Sequence, residues 1–249
     1  MSETVQGVLL PLIGTSLGAA CVFPMRREPC AAFRKALSGF AAGVMTAAGV
    51  WSLLLPAIDF SAPLGRLAFL PAALGLMAGV LLMILLDRAV KKLCKRMCGA
   101  LPDNSMLTLA VTLHNIPEGM VVGAAFAGVS AGGGSITAAA ATALAAGIAI
   151  QNLPEGAMIS MPLKAGGMNR GRAFVVGVLS GVVEPIGAVV TLMAAGLVAP
   201  ALPYFLSLAA GAMYYVAAAE LIPESAGEGG AVSFAAGFTV MMSLDVIFG

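Results

Sequence analysis

The chain has 249 residues, of which 60% are hydrophobic and only 10% are charged. Its mean hydropathy of +1.00 exceeds the values of soluble globular domains. The formal net charge of +1 gives no information about partners, and no basic tract indicates that the chain binds nucleic acid. The sequence therefore predicts an all-α polytopic membrane protein that has the lipid bilayer as its surroundings.

Eight apolar stretches are long enough to cross a bilayer, which takes about 20 residues. In chain order they cover residues 5–23, 36–57, 67–86, 105–128, 136–162, 173–197, 202–222 and 231–248. We expect them to form a single transmembrane domain over residues 1–249.

The basic residues indicate the orientation of these stretches. All but one of the 13 Lys and Arg residues lie in the loops after the first, third and fifth stretches, and the exception is Arg66. Basic loops stay in the cytoplasm. Both termini are therefore expected outside the cytoplasm, and the even number of stretches agrees with this.

Two near-identical motifs lie in the fourth and fifth stretches, HNIPEG at residues 114–119 and QNLPEG at residues 151–156. On a helix, residues four apart share a face, so His114 shares a face with Glu118, and Gln151 with Glu155. The proline of each motif leaves a backbone carbonyl without its helical donor, and in lipid such a carbonyl needs a partner. A kinked helix held by interhelical hydrogen bonds is the simpler interpretation. Two intramembrane carboxylates favour a functional site, because each costs about 3 kcal/mol or more.

The sixth stretch repeats the arrangement of a carboxylate beside a proline at Glu184 and Pro185. No Lys or Arg lies at the same depth in the sequence, so an ion pair is not expected there. Imidazole, carboxylate and amide groups together suit Zn²⁺ and other first-row divalent metals, whereas Mg²⁺ and Ca²⁺ avoid His and Cu⁺ prefers Cys. Cys94 and Cys98 are spaced i, i+4, but without further ligands nearby we interpret them as plain thiols.

The second and seventh stretches contain similar segments. AAGVM at residues 41–45 leads on to a Leu-Pro pair at 55–56, and AAGAM at residues 209–213 leads on to an Ile-Pro pair at 222–223. The two stretches run in opposite directions through the membrane. This is the pattern of an inverted repeat, with stretches one to three related to six to eight around the central pair.

The motifs resemble the signature of the ZIP family of divalent-metal transporters. HNIPEG matches the family's HNxPEG pattern at every position. QNLPEG, GFAAGVM at residues 39–45 and WSLL at residues 51–54 resemble the GufA-type bacterial branch, and ELIPE at residues 220–224 also fits. The resemblance covers essentially the whole chain.

The resemblance implies eight helices in a 3+2+3 arrangement with inverted halves, a homodimer, and a multi-pass location in a bacterial inner membrane. It also implies a binuclear metal site in which glutamates bridge the two metals. One metal would bind Met45, His114, Glu118, Gln151 and Glu155. The other would bind Asn115, Glu118, Asn152, Glu155 and Glu184. The transport path would include Asp59 and Asp245 at the outer entrance and Glu220 towards the cytoplasmic exit.

The chain departs from the family pattern at two positions and in one loop. Residue 152 is Asn where some relatives carry Asp, so the second metal site has one negative charge fewer. Residue 219 is Ala where some relatives have His, and the third loop lacks the His-rich tract of many members. His114 is the only histidine of the chain.

The expected function is transport of a divalent transition metal into the cytoplasm by gradient-driven alternating access. Zn²⁺ is the leading substrate, with Cd²⁺, Fe²⁺ and Mn²⁺ as competitors. No prosthetic cofactor is expected, because Zn²⁺ or Cd²⁺ is bound as cargo. Two alternatives remain: a proton-coupled carrier of another ion or solute, and an intramembrane metalloenzyme. The single His cannot supply the His-Glu-x-x-His arrangement, so we do not expect an enzyme.

Overall fold

The computed structural model describes residues 2–26, 30–97, 103–130, 137–194, 196 and 201–248. Within these ranges the backbone is helical apart from short turns, and no strand occurs. We label the long helices α1 to α8. Their bounds are Ser2–Ala20, Ala31–Phe60, Phe69–Met97, Asp103–Ser130, Ala138–Ala165, Arg170–Met193, Leu202–Glu224 and Glu228–Phe248. The predicted all-helical class is confirmed.

Five helices in the described part of the chain are long and apolar enough to cross a membrane. They are α2, α3, α6, α7 and α8, and the most apolar windows of these helices have mean hydropathies from 1.6 to 2.5. Every labelled helix overlaps one of the apolar stretches. The largest difference is in α3, which continues beyond residue 86 to Met97, because no proline or glycine interrupts the sequence there.

Proline has different consequences in different helices. In α4 and α5 the helix continues through Pro117 and Pro154. In α2 and α7 a turn of π-helix, Gly49–Leu54 and Ala217–Leu221, comes directly before the turn that holds the proline. The wider π-turn accommodates a proline ring that would otherwise clash with the carbonyl four residues earlier.

The helices pack in two groups. In the first group, α1 packs most extensively against α5, and α4 against α6. In the second, α2 packs against α8 and α3 against α7. Glycines allow these close approaches: a Cβ atom at Gly14 or Gly18 of α1 would overlap a backbone carbonyl of α5, and one at Gly43 of α2 would overlap a backbone carbonyl of α8. The two helices with the PEG motifs therefore belong to the first group.

The two groups meet through one large apolar cluster, which includes Met45 of α2, Phe126 of α4, Ile148 of α5 and Met241 of α8. Cys21 and Cys30 are free thiols. Cys98 lies outside the described residues, as does the side chain of Cys94.

Candidate metal site

Six of the predicted metal ligands have buried side chains on three adjoining helices of the first group. None is more than 3% exposed: Asn115 and Glu118 of α4, Gln151, Asn152 and Glu155 of α5, and Glu184 of α6. The three carboxylates are close enough for their charges to interact. The described residues contain one ion pair, which joins Lys91 to Asp87 within α3. The carboxylates of the site therefore have no basic partner among the described side chains.

A break in α6 positions Glu184. The helix is interrupted at Val182, between Arg170–Gly181 and Val183–Met193. Pro185 follows Glu184 and has no N–H for the carbonyl of Gly181, so a regular helix is disfavoured at this point. Glu184 consequently lies in the first turn of a new helical segment, and its side chain is buried beside α1 and α4.

A hydrogen bond between described side chains joins the two motif helices. Gln151 Nε2 donates to Glu118 Oε1 over 2.7 Å. Gln151 Oε1 has no hydrogen-bond donor, and neither has Glu118 Oε2. Each residue therefore has one oxygen available for another partner.

Glu184 Oε1 accepts two hydrogen bonds. Thr15 Oγ1 donates to it over 2.8 Å and Asn115 Nδ2 over 3.0 Å. Asn115 Nδ2 also donates to the carbonyl oxygen of Ser180 over 3.1 Å. Both acceptors require the NH₂ end of the amide, so the orientation of Asn115 is fixed and its Oδ1 is directed elsewhere.

Seven buried oxygen atoms of the site have no hydrogen-bond donor. They are Asn115 Oδ1, Glu118 Oε2, Gln151 Oε1, Asn152 Oδ1, both Glu155 carboxylate oxygens and Glu184 Oε2. The amide of Asn152 approaches Glu118 and Glu184 but forms no hydrogen bond of normal geometry. A buried acceptor without a donor costs about 1–3 kcal/mol. A shared counter-charge stabilises several such acceptors together, and carboxylate and amide oxygens are suitable ligands for divalent cations.

The glycine of each motif allows a neighbouring backbone to approach the carboxylate. A Cβ atom at Gly119 would overlap the backbone carbonyl of Glu184 in α6, and one at Gly156 would overlap the carbonyl of Thr15 in α1. The PEG motif therefore combines a carboxylate with the close packing that holds the next helix beside it.

The other two predicted ligands are Met45 of α2 and His114 of α4. Met45 is 1% exposed and belongs to the large apolar cluster. His114 lies in α4 one turn before Glu118, and its side chain is outside the described residues.

Two residues predicted at the outer entrance line one cavity of about 680 Å³. Asp59 of α2 and Asp245 of α8 share this cavity with Trp51 and Thr137. Ser52 donates a hydrogen bond to Asp245 Oδ1, and Asp245 Oδ2 is buried without a partner. The cavity therefore presents carboxylate oxygen next to α5.

The residue predicted towards the cytoplasmic exit is less enclosed. Glu220 lies on the π-turn of α7, is partly buried, and interacts electrostatically with Asp87 of α3. One turn later, Glu224 Oε2 accepts a hydrogen bond from Ser38 of α2 over 2.9 Å. Neither residue contacts the three-helix site through a described hydrogen bond.

Sequence reasoning missed Thr15. The residue lies in an apolar segment, four residues after Pro11 and between Gly14 and Gly18. A polar residue beside glycines that permit close helix contact is the signal that points to it.

Comparison with known proteins identifies the family. A family model described as ZIP Zinc transporter matches residues 97–245. The human zinc transporter ZIP11 is 34% identical over 323 aligned residues, which cover 94% of this chain and 94% of that protein. The chain belongs to the ZIP zinc transporter family.

Two bacterial relatives refine the assignment within the family. The zinc transporter ZIPB of Bordetella bronchiseptica is 38% identical over 249 aligned residues, covering 94% of this chain and 78% of ZIPB. The zinc transporter GufA of Myxococcus xanthus is 38% identical over 120 residues, covering 48% of this chain and 44% of GufA. These matches support the GufA-type branch. ZIP proteins are transporters rather than enzymes, so this member is a transmembrane metal-ion transporter.

Proposed function

We propose that this ZIP member carries Zn²⁺ into the cytoplasm through a binuclear site between α4 and α5. The observation that carries the proposal is the group of seven buried oxygen atoms without donors on α4, α5 and α6. Divalent metal ions neutralise such a group without a basic side chain. The relatives are named zinc transporters, which supports Zn²⁺ as the substrate of this chain. We propose Cd²⁺, Fe²⁺ and Mn²⁺ as competing substrates.

The two metals share bridging glutamates in this proposal. The first is bound by Met45, His114, Glu118, Gln151 and Glu155. The second is bound by Asn115, Glu118, Asn152, Glu155 and Glu184. The contacts of Asn115 and Gln151 support these sets, because both amides use nitrogen for hydrogen bonds and retain a free oxygen. Asn152 contributes no charge, so the second metal is held more weakly.

We further propose that all eight helices cross the membrane in a 3+2+3 arrangement with inverted halves. The packing supports this symmetry. The inverted repeat relates α1, α2 and α3 to α6, α7 and α8, and it relates α4 to α5. Under this relation the packed pair α1–α5 corresponds to the packed pair α6–α4. The packed pair α2–α8 likewise corresponds to α7–α3. The π-turns also match, since Gly49–Leu54 and Ala217–Leu221 follow the two related small-residue segments.

The orientation places the basic loops in the cytoplasm and both termini outside it. In a bacterial inner membrane, Asp59 and Asp245 then lie at the outer entrance and Glu220 towards the inner exit. Transport is driven by gradients and proceeds by alternating access. The division of the helices into two groups is compatible with such movement. We also propose that the protein forms a homodimer, on the basis of the family resemblance.

The decisive experiment measures ⁶⁵Zn²⁺ uptake into proteoliposomes by Glu118→Ala and Glu155→Ala variants. We expect both to lose uptake, because each removes an oxygen ligand shared by the two metals. Glu228→Ala is the matched control, since Glu228 is an exposed glutamate in the first turn of α8. Full uptake by either site variant would refute the proposal.

Calorimetric titration of the purified wild-type protein with Zn²⁺ distinguishes the proposed metal transport from the remaining alternative, a proton-coupled carrier of another ion or solute. Two bound ions per chain are expected. No stoichiometric binding would favour a carrier in which the glutamates only relay protons.

A further inference from the structure

Thr15 of α1 reaches into the site from a helix that carries none of the proposed ligands. Its side chain is 0% exposed. Its Oγ1 atom lies 2.8 Å from Glu184 Oε1 and 3.2 Å from the carbonyl oxygen of Pro11, one turn earlier in the same helix. The interaction with Glu184 is the shorter one and joins residues that are 169 positions apart in the chain.

Two glycines bring Thr15 to this position. A Cβ atom at Gly156 of α5 would overlap the Thr15 carbonyl, and one at Gly181 of α6 would lie 2.9 Å from the Thr15 Cβ and Cγ2 atoms. Gly156 follows Glu155 directly, and Gly181 lies three residues before Glu184. The sequence therefore holds Thr15 at the junction of α1 with the helices that carry two of the site carboxylates.

The two oxygens of Glu184 have different surroundings. Oε1 accepts hydrogen bonds from Thr15 and Asn115, whereas Oε2 is buried and accepts none. The carboxylate plane is thus fixed from one side. Only Oε2 keeps both lone pairs for another ligand.

We propose that Thr15 is a positioning residue of the second metal site, which holds Glu184 by Oε1 and thereby presents Oε2 to the cation. The inference rests on the proposed function, because it assigns a task to a residue that supports a proposed ligand. Hydrogen bonds that orient metal ligands commonly change metal affinity by 10–100-fold when they are removed.

The test is Thr15→Val, which preserves the shape of the side chain and removes its hydroxyl. Calorimetric titration of the purified full-length variant with Zn²⁺ is expected to show about tenfold weaker binding of the second ion and an unchanged first binding step. Thr15→Ser keeps the hydroxyl and is expected to restore the second step. Zn²⁺ uptake by Thr15→Val should show a higher KM, because the ligand remains but is less well oriented.

Thr191→Val is the matched control. Thr191 is also buried in α6, and its hydroxyl donates only to the carbonyl of Gly187 in its own helix. The positioning role is overturned if Thr15→Val binds both ions as the wild type does, if Thr191→Val weakens the second ion equally, or if Thr15→Ser fails to restore it.

The failure of the proposed function gives a different result. In that case the wild type itself does not bind two Zn²⁺ ions, and Glu184→Ala does not change the titration. Thermal unfolding in detergent, measured on each variant, separates loss of orientation from loss of fold.

Discussion

Gly119→Ala tests whether close packing of α4 on α6 maintains the site. Gly119 follows Glu118 directly, and its added Cβ would overlap the backbone carbonyl of Glu184. That carbonyl has no rotamer through which it can move aside, so the two helices must separate. Because Glu118 and Glu184 are attached to these two backbones, the separation also changes the geometry of the carboxylates.

The expected magnitude follows from two opposing effects. Overpacking a close contact costs about 1–3 kcal/mol, and the higher helix propensity of Ala returns about 1 kcal/mol. A net loss of up to about 2 kcal/mol in unfolding free energy is expected from this difference. If about 1.4 kcal/mol of that loss falls on the metal-bound arrangement, Zn²⁺ binding weakens about tenfold.

Zn²⁺ titration and thermal unfolding of the detergent-purified variant measure the two effects. Gly229→Ala is the matched control, because Gly229 is also helical and a Cβ there meets no atom within 4 Å. The control should bind Zn²⁺ as the wild type does, with equal or slightly higher stability. The reasoning is refuted if Gly119→Ala retains wild-type Zn²⁺ affinity and melting temperature.

Two further predictions concern the outer cavity and the start of α6. Asp245→Asn should raise the KM for Zn²⁺ uptake several-fold and leave kcat unchanged, because the carboxylate that lines the cavity attracts cations before they reach the buried site. An unchanged KM in Asp245→Asn would contradict this prediction. An equal rise of KM in the control variant Ser243→Ala would contradict it as well. Asn169→Ala should lower the unfolding free energy by about 1 kcal/mol, because the Asn169 side chain accepts a hydrogen bond from the Arg172 N–H at the start of α6. Chemical denaturation measures this loss, Asn169→Asp should recover it, and equal stability of all three proteins would exclude a capping role.

Local sequence was sufficient to predict the class of protein and the positions of the candidate site. Apolar stretches of the length of a bilayer indicate membrane helices, since each helix satisfies its own backbone hydrogen bonds. The PEG motifs can be recognised from the sequence alone, because a glutamate in an apolar stretch has a free-energy cost in the membrane wherever the helix lies. Glu118, Glu155 and Glu184 can therefore be identified as candidate ligands without knowledge of their neighbours.

The tertiary structure decided which atoms meet. Thr15 and Glu184 are 169 residues apart, and their hydrogen bond depends on the close packing of α1 on α5 and α6 at Gly156 and Gly181. The same dependence applies to the bond between Gln151 and Glu118. Sequence specifies the chemistry that each helix brings, whereas the choice of the oxygen that remains free depends on contacts between helices that no local pattern encodes.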